Sequence, residues 1–371
     1  MAKNANAKRP VSQKFSDFVK SLDDSLIERT DEIEMLTVAL LTNEHCLMVG
    51  APGTGKTLLS SYFSKFLDSK MFSILLNKFT TLEELFGAVS FSGLKNDTFE
   101  RKLDGKAADA GVLVLDEIFK GSSSILNATL ALLNERVFHN GGKVVDCPLR
   151  IAVGLSNEWP EDESLNALFD RFLFRKIVDP IQSDSGVDRL MFGEIGEPLF
   201  DSISIEELNA AQKEVAAVTW SKSAKEAFSA IRKECMSNGI IIGDRRLRKS
   251  VGACKAVAWL DGRTEVVKED MIILRHVLWA DPSEQPKMVA SIVMKYAAPE
   301  LAEVNSLIAA SEEIVSKLDT SDMASLLAAH KKLTEIEDRI GDYKSEKATK
   351  AAGRIRDLVK HVLVCGMEAS K

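Results

Sequence analysis

The sequence predicts an α/β fold in which helices cover both faces of a parallel sheet. Five short segments are almost entirely apolar, which is typical of strands that are buried on both faces. Helical patterns lie between these segments, and strands that alternate with helices indicate an α/β protein. The predicted strands cover residues 46–50, 71–76, 111–116, 149–156 and 173–178.

A β-hairpin is predicted between the third and fourth of these strands. Between Arg136 and Leu149 the sequence reads VFHNGGKVVDCP, with Asn140-Gly141-Gly142 at its centre. Asparagine and glycine accept the positive φ angles that tight hairpin turns require. The turn of the hairpin is therefore predicted at these three residues.

The chain of 371 residues is long enough for two or three domains. A first helix is predicted over 31–41 from the spacing of its apolar residues. Two stretches rich in Ser, Asp, Gly or Pro, 183–200 and 281–286, predict breaks in the chain. The predicted units are a polar N-terminal tail (1–20), the α/β core (21–183), a helical domain (201–283) and a C-terminal helical domain (287–371).

The composition is that of an ordinary globular chain, with 45% hydrophobic residues, 28% charged residues and a net charge of -7. This acidic balance argues against nucleic acid as a partner. The five cysteines are scattered and form no paired motif, so we expect a reduced, cytoplasmic setting. The basic N-terminus precedes no apolar stretch, and no segment approaches the ~18 apolar residues of a membrane helix. We therefore expect neither a secretory signal nor a membrane span.

The segment GAPGTGKT follows a predicted strand and opens a predicted helix, which is the context that a P-loop requires. Its glycines let backbone N–H groups approach phosphates, and the helix N-terminus favours their negative charge. Lys56 is expected to neutralise the β- and γ-phosphates and Thr57 to bind Mg²⁺, so ATP and Mg²⁺ are the predicted cofactors. The predicted nucleotide-binding residues of this segment are Gly50, Ala51, Pro52, Gly53, Thr54, Gly55, Lys56, Thr57 and Leu58.

Two adjacent carboxylates, Asp116 and Glu117, follow the apolar run VLVL at the end of the third strand. Asp116 is expected to hold Mg²⁺, directly or through water. Glu117 is expected to orient and polarise the attacking water, because phosphoryl transfer depends mainly on positioning and charge stabilisation. Asn157 ends the next strand and is a candidate to hold the water and the γ-phosphate. Ser-Asn at a strand end is equally typical of a turn, so the residues alone leave this role open.

Arginines at two places are candidates to complete a nucleotide site. Arg171 lies just before the last predicted strand, and Arg175 lies inside that strand. An exposed arginine supplied to the ATP of a neighbouring subunit is the arginine-finger device, and a surface salt bridge is the alternative. In the helical domain, Arg245 or Arg246 opens a helix and could reach ATP across the interdomain cleft. A basic helix face is the alternative there, and spacing does not choose between the two arginines.

These motifs, in this order, resemble those of MoxR-type AAA+ ATPases, and among them the RavA branch most closely. The likeness spans about residues 20–280 and rests on GAPGTGKT, VLVLDEIFKGSSSILNATLALLNERVF, GLSNEWPEDESLNALFDRFLFR and GDRRLRK. It implies an AAA+ αβα core with a five-stranded sheet in the order 5-1-4-3-2, followed by a helical lid. It also implies assembly into a homo-oligomeric ring, for which the family suggests a hexamer.

The resemblance assigns roles to further residues. Leu26 and Ile27, together with Glu28-Arg29, would wrap the adenine. The hairpin near Asn140 would be the pre-sensor-1 hairpin, and residues 84–106 would be the helix-2 insertion, which faces the pore in such rings. The remaining roles are sensor 1 for Asn157, an arginine finger acting in trans for Arg171, and sensor 2 for Arg245 or Arg246.

The function that the resemblance implies is a chaperone-like ATPase motor that remodels or activates a protein partner. In MoxR-type systems that partner often carries a von Willebrand factor A domain. RavA-like proteins have a further β-rich domain, whereas the roughly 90 residues after the lid here are predicted to be all helical. One alternative is a DNA or transcription motor, although FGAVSFSGLKNDTF in the insertion differs from the GAFTGA loop of enhancer-binding activators. The other alternative is a non-cycling nucleotide switch. The presence of both Lys56 and Glu117, which ATP hydrolysis needs, argues against it.

Overall fold

The computed structural model describes residues 9–95, 97–159, 166–316, 318, 323–343, 351–360 and 362. Parts of the predicted N-terminal tail, of the GLSNEWPEDESLNALFDRFLFR block and of the predicted C-terminal domain lie outside these residues. Within the described part of the chain, no helix has the length and apolar character needed to cross a membrane.

Five parallel strands form the central sheet, and a separate hairpin supplies two more. The strands are β1 (Cys46–Val49), β2 (Met71–Leu75), β3 (Val112–Asp116), β4 (Val137–Asn140), β5 (Lys143–Asp146), β6 (Ile151–Ser156) and β7 (Phe174–Ile177). The sheet order is β2-β3-β6-β1-β7, and β4 pairs with β5 in a separate two-stranded sheet. Numbered among themselves, the five sheet strands follow the predicted order 5-1-4-3-2, which is thereby confirmed.

Burial explains why the inner strands are apolar. Every residue of β1 and of β6 is buried, because neighbouring strands and helices cover both. The edge strand β2 differs, since Leu75 at its end is 62% exposed. In the parallel register Cys46 lies between Val153 and Phe174, so the carboxyl ends of the strands lie together on one side of the sheet. The polar residues that follow β1, β3 and β6 are thus collected at the carboxyl ends of the strands.

Helices surround this sheet, and the described ones before β7 include one that the sequence did not predict. They are α1 (Val11–Ser25), α2 (Thr30–Thr42), α3 (Lys56–Phe66), α4 (Leu82–Phe86), α5 (Phe91–Lys95), α6 (Ser123–Glu135) and α7 (Asn166–Phe169), with 3₁₀ turns at Ala107–Asp109 and Ile118–Lys120.

The helix that was missed is α1, so the prediction of a polar tail over 1–20 is wrong from Val11 onwards. Phe15, Phe18 and Leu22 recur at helical spacing and are completely buried. Phe18 stacks on Phe66 of α3 with ring centroids 3.9 Å apart. Lysines, serines and aspartates fill the exposed face, and their number gave the segment its polar appearance.

The predicted hairpin is confirmed. Asn140 of β4 pairs with Lys143 of β5, and the turn residues Gly141 and Gly142 have φ angles of 58° and 92°. The side chain of Asn140 both accepts from the backbone N–H of Arg101 and donates to its carbonyl, at 2.6 and 3.1 Å. The hairpin is thereby bonded to the segment that the resemblance names as the helix-2 insertion.

A second, mostly helical unit follows β7. Its elements are α8 (Asp184–Phe192), α9 (Ile205–Ala217), β8 (Thr219–Trp220), α10 (Lys222–Ser237), α11 (Asp244–Leu260), β9 (Glu265–Val266), a 3₁₀ helix (Glu269–His276) and α12 (Gln285–Ala297). Helix α8 lies within the stretch 183–200, for which a break in the chain was predicted. Helix α12 buries Val289 and Val293 in the same apolar core as the lid. The predicted boundary near residue 285 therefore marks a turn, and the lid packing continues through α12.

The last described helices form their own apolar cluster. They are α13 (Pro299–Ser316), α14 (Met323–Gly341) and a helix over 351–360. Val304, Leu333, Ile340 and Ile355 are almost fully buried together, separately from the main core. The predicted all-helical C-terminal packing is confirmed for the described residues.

Candidate nucleotide-binding site

The P-loop connects the end of β1 to the first turn of α3. The backbone N–H of Gly50 donates to the carbonyl of Ser156 at 3.1 Å, which fixes the start of the loop against β6. A Cβ at Gly50 would lie 2.1 Å from the carbonyl oxygen of Val178, so only glycine fits between β1 and β7. Gly55 has a φ of 83° and is the N-cap of α3. This left-handed geometry favours glycine and turns the loop into the helix.

Lys56 lies inside the loop, with its ammonium held by loop carbonyls. Its Nζ donates to the carbonyls of Gly50 and Ala51 at 2.6 and 2.9 Å. Burial lowers the pKa of Lys56, while the nearby carboxylates of Asp116 and Glu117 act in the opposite direction. The ammonium is therefore placed in the centre of the loop, where the phosphates of a nucleotide would need a counter-charge.

The two carboxylates predicted from the sequence lie at the end of β3. Glu117 has a φ of 51°, a strained backbone value for a residue that is not glycine. Its backbone N–H donates to Oδ1 of Asp116 at 3.0 Å. Lys120, which the sequence analysis did not single out, lies 3.4 Å from Oε2 of Glu117. Its position one helical turn after Glu117 was the signal that could have found it.

Asn157 connects the lysine to the glutamate. Its Oδ1 accepts from Nζ of Lys56 at 3.3 Å, and its Nδ2 donates to Oε1 of Glu117. The neighbouring Ser156 makes a turn instead, since its hydroxyl donates to the carbonyl of Glu158 at 2.7 Å. The sequence left open whether Ser-Asn forms a turn or belongs to the site. Ser156 forms the turn, and Asn157 faces the site.

These side chains line one cavity of about 370 Å³. Thr57 and Asp116 both line it, and hydroxyl and carboxylate oxygens are the donors that Mg²⁺ prefers. The residues present thus fit a magnesium ion. Leu75, at the exposed end of β2, is a lining residue that the sequence analysis missed. The lining residues are Pro52, Gly53, Thr54, Gly55, Lys56, Thr57, Leu58, Leu75, Asp116, Glu117 and Asn157.

The segment predicted to wrap the adenine is bonded to the P-loop through Arg29. The buried guanidinium donates to the carbonyl of Thr54 at 3.0 Å and to the carbonyl of Asp179, after β7, at 2.9 Å. Glu28 and Arg29 line a second cavity of about 290 Å³, together with residues that follow β7. Leu26 and Ile27 are half-buried just before it. Their contact with a base stays a prediction.

Arg171 lies at the amino ends of the strands, on the side of the sheet opposite the P-loop. It precedes β7, whose first residue Phe174 pairs with Cys46 at the start of β1, whereas the P-loop follows the end of β1. The length of a strand therefore separates Arg171 from the P-loop of its own chain. The side chain of Arg171 is 26% exposed and lies 3.8 Å from the carboxylate of Asp170. Arg175, the other candidate in this region, is 1% exposed and donates to the carbonyl of Phe169, so it cannot be presented to a neighbour.

The two lid arginines have different environments. Arg246 is buried, and its Nη1 donates to the carbonyls of Leu173 and Val277, both at 2.8 Å. Its guanidinium therefore joins the lid to the start of β7, and it does not reach the P-loop of its own chain. Arg245 is exposed. Neither arginine lines the cavity at the P-loop, so the predicted reach across the interdomain cleft is absent from this geometry.

Comparison with known proteins identifies the family. A family model described as the MoxR domain in the MoxR-vWA-beta-propeller ternary systems matches residues 13–214, and one described as an AAA lid domain matches residues 224–293. This chain belongs to the MoxR family of AAA+ ATPases. The match begins within α1, which agrees with the corrected start of the fold.

Relatives support this membership in the MoxR family. Two uncharacterized proteins of Methanocaldococcus jannaschii are 38% and 39% identical, over 77% and 74% of this chain and 76% and 73% of their own lengths. The chaperone MoxR1 of Mycobacterium tuberculosis is 26% identical over 38% of each chain. A crystal structure of a protein from Cytophaga hutchinsonii superimposes with a TM-score of 0.61 and 16% identity. It covers 77% of this chain and 94% of its own, and it shows the shared fold.

Proposed function

We propose that this MoxR chain hydrolyses ATP as a ring motor with a chaperone-like role, remodelling or activating a protein partner. The contact of Asn157 with both Lys56 and Glu117 carries this proposal. A site that only bound nucleotide would need the P-loop lysine but would not need a residue that links this lysine to a carboxylate. A polar side chain that joins the lysine to an acidic residue suits a site that also positions water.

The chain's own residues divide the chemical work. Mg²⁺, bound with ATP through Thr57 and Asp116, would neutralise phosphate charge. Lys56 turns from the loop carbonyls to the β- and γ-phosphates and stabilises the charge that develops there. Glu117 accepts a hydrogen bond from the attacking water and polarises it, while Asn157 holds the carboxylate in position.

The active site is proposed to be shared between subunits. Because Arg171 lies at the amino ends of the strands, opposite its own P-loop, it would reach ATP only in a neighbouring copy. The same reasoning applies to Arg245, whose neighbour Arg246 is fixed at the start of β7. We therefore place both arginines as contributions in trans, and we propose Arg245 rather than Arg246 as sensor 2.

The finer identity of the assembly is part of the proposal. A six-membered ring and a place in the RavA-like branch follow from the resemblance of the motifs, and a cytoplasmic setting follows from the scattered cysteines. The matching family model is named for MoxR systems that include a vWA component. That name supports a partner with a von Willebrand factor A domain. The exposed Phe91 and Phe99 of the insertion segment suit contact with a protein chain.

ATP turnover per subunit, measured against protein concentration, tests the proposal. Specific activity is expected to rise as subunits associate, and Arg171→Ala should abolish the rise while ATP still binds. Arg339→Ala is the matched control, because Arg339 is an exposed arginine paired with Glu303 in the C-terminal cluster. Tight ATP binding without turnover at any concentration would instead indicate a nucleotide switch.

A further inference from the structure

Residues 182–199, which we name the strap, carry an unusual number of exposed apolar side chains. The strap includes α8 and the chain that follows it. Large exposed apolar groups that lie close together mark interaction surfaces. Those of the strap are Leu190 (56% exposed), Met191 (58%), Phe192 (81%), Ile195 (42%) and Leu199 (86%).

The strap is also acidic. Asp184, Asp188, Glu194 and Glu197 are exposed along it. Arg189 is the basic residue of the strap, and its guanidinium donates to the backbone carbonyl of Asp24 in the same chain. The strap therefore offers negative charge around an apolar centre.

The strap is bonded to the nucleotide site. The carboxylate of Glu28 accepts from the backbone N–H groups of Gln182 and Ser183 at 2.7 and 3.0 Å, where α8 begins. The carbonyl of Glu28 accepts from Arg29, whose guanidinium also donates to the P-loop carbonyl of Thr54. The start of α8 is thus connected to the P-loop through the two adjacent residues Glu28 and Arg29.

A complementary surface lies at the other end of the sheet. It comprises the end of α10, the connection to α11 and the start of α11, residues 236–248, which we name the lid tip. Met236 and Ile241 of the lid tip are 56% and 87% exposed. Arg245 and Arg248, three residues apart and therefore on one face of α11, are exposed as well. Asp244 is the exposed carboxylate of the lid tip, so positive charge is in excess there. Arg246 bonds the lid tip to the carbonyl of Leu173, which places it on the side of Arg171.

We propose that the strap of one copy binds the lid tip of the next copy, and that this contact brings Arg171 of that copy to the nucleotide cavity. The inference rests on the proposed shared site. An acidic apolar surface beside the P-loop matches a basic apolar surface beside Arg171. Two different complementary surfaces on one chain make a head-to-tail contact, which is the type of contact that a ring requires. The occupant of the strap is therefore a second copy of this chain.

Cross-linking between singly substituted chains tests the contact. A Phe192→Cys chain is mixed with an Ile241→Cys chain. Both chains carry Cys365→Ser, which removes the fifth native cysteine, and the other four native cysteines are buried. With ATP and Mg²⁺, a short bifunctional maleimide should join the two chains. Leu327→Cys, at an exposed leucine of the C-terminal cluster, replaces Phe192→Cys as the control and should give no product. If sedimentation shows assembly but the Phe192→Cys and Ile241→Cys pair gives no more cross-linked product than the control, the proposed contact is wrong. The proposed ring would not be affected by that result.

A second variant measures the contribution of the strap. Phe192→Asp should raise the concentration for half-maximal assembly about 10-fold or more, since the buried area of a phenylalanine is lost. Leu327→Asp should leave it unchanged, and circular dichroism should report the native fold for both. An unshifted midpoint for Phe192→Asp would overturn the role of the strap. Failure of the native chain to assemble at all with nucleotide would overturn the shared site as well.

Discussion

The side-chain oxygen of Asn157 lies 3.3 Å from the ammonium of Lys56, across the gap between the ends of β6 and β1. Its amide nitrogen donates to Glu117 at the end of β3. The segments that follow three parallel strands thus contribute one side chain each to a single chain of hydrogen bonds: Lys56 after β1, Glu117 after β3 and Asn157 after β6. Because the partners follow different strands, the geometry depends on the sheet register and not on any local motif.

Asn157→Ala should lower ATP turnover about 10²-fold, the usual cost of removing one preorganised polar group from a reacting site. Binding of ATP should be retained, because the substitution leaves Lys56 and the backbone N–H groups of the P-loop in place for the phosphates. Stopped-flow measurement of binding, combined with a phosphate-release assay, separates the two effects. A loss of binding equal to the loss of turnover would show that Asn157 only holds the lysine.

Glu117→Gln should reduce turnover by a similar factor or more, since an amide cannot polarise water as a carboxylate does. Bound ATP should then persist, which radiolabelled nucleotide retained on the protein would reveal. Glu135→Gln, at an exposed glutamate at the end of α6, is the matched control and should behave as the native chain. Normal turnover in Glu117→Gln would exclude this residue as the water-orienting group.

Arg246→Met and Arg245→Met should have opposite phenotypes. Arg246→Met leaves the carbonyls of Leu173 and Val277 without their donor, so the free energy of unfolding should fall by about 2 kcal/mol. Arg245→Met should leave stability within about 0.5 kcal/mol of the native value, as expected for an exposed position, and should lower turnover. Urea unfolding of both variants, followed by the turnover assay, tests this division. Equal destabilisation would contradict it.

Glu34 should make stability depend on pH. Burial raises the pKa of this carboxyl to about 7, above its ordinary value of 4.5, although Arg275 acts in the opposite direction. The folded chain then holds a proton that the unfolded chain has lost, so stability should fall as pH rises from about 4.5 to 7. The difference in the free energy of unfolding between pH 5 and pH 8 should be roughly 1–3 kcal/mol smaller in Glu34→Gln than in the native chain. Glu226→Gln, at an exposed glutamate of α10, should leave the dependence unchanged.

The sequence predicted those parts of the fold whose patterns are local. The five sheet strands, the Asn140 hairpin and the P-loop each have a pattern of apolar or turn residues that is complete within a few positions. The start of α1 was missed because Phe15, Phe18 and Leu22 are outnumbered by polar residues, and only packing on α3 reveals their role.

The candidate site could be predicted in its residue types but not in all of its geometry. Lys56, Asp116 and Glu117 carry recognisable motifs and line one cavity. The difference between Arg245 and Arg246 depends on the carbonyls of Leu173 and Val277, which are far away in the sequence. The contact of Arg29 with Thr54 is likewise long-range, and no local spacing indicates it.

Complementation between two inactive variants tests the shared site most directly. Lys56→Ala removes the lysine of the P-loop, and Arg171→Ala removes the proposed finger, so each variant alone should be nearly inactive. Mixed in equal amounts while dilute and then concentrated, they should recover up to about one quarter of native turnover, because one head-to-tail junction in four carries both native residues. Turnover of the mixture no greater than the sum of the separate variants, in assembled protein, would contradict a site completed by Arg171 of the neighbouring subunit.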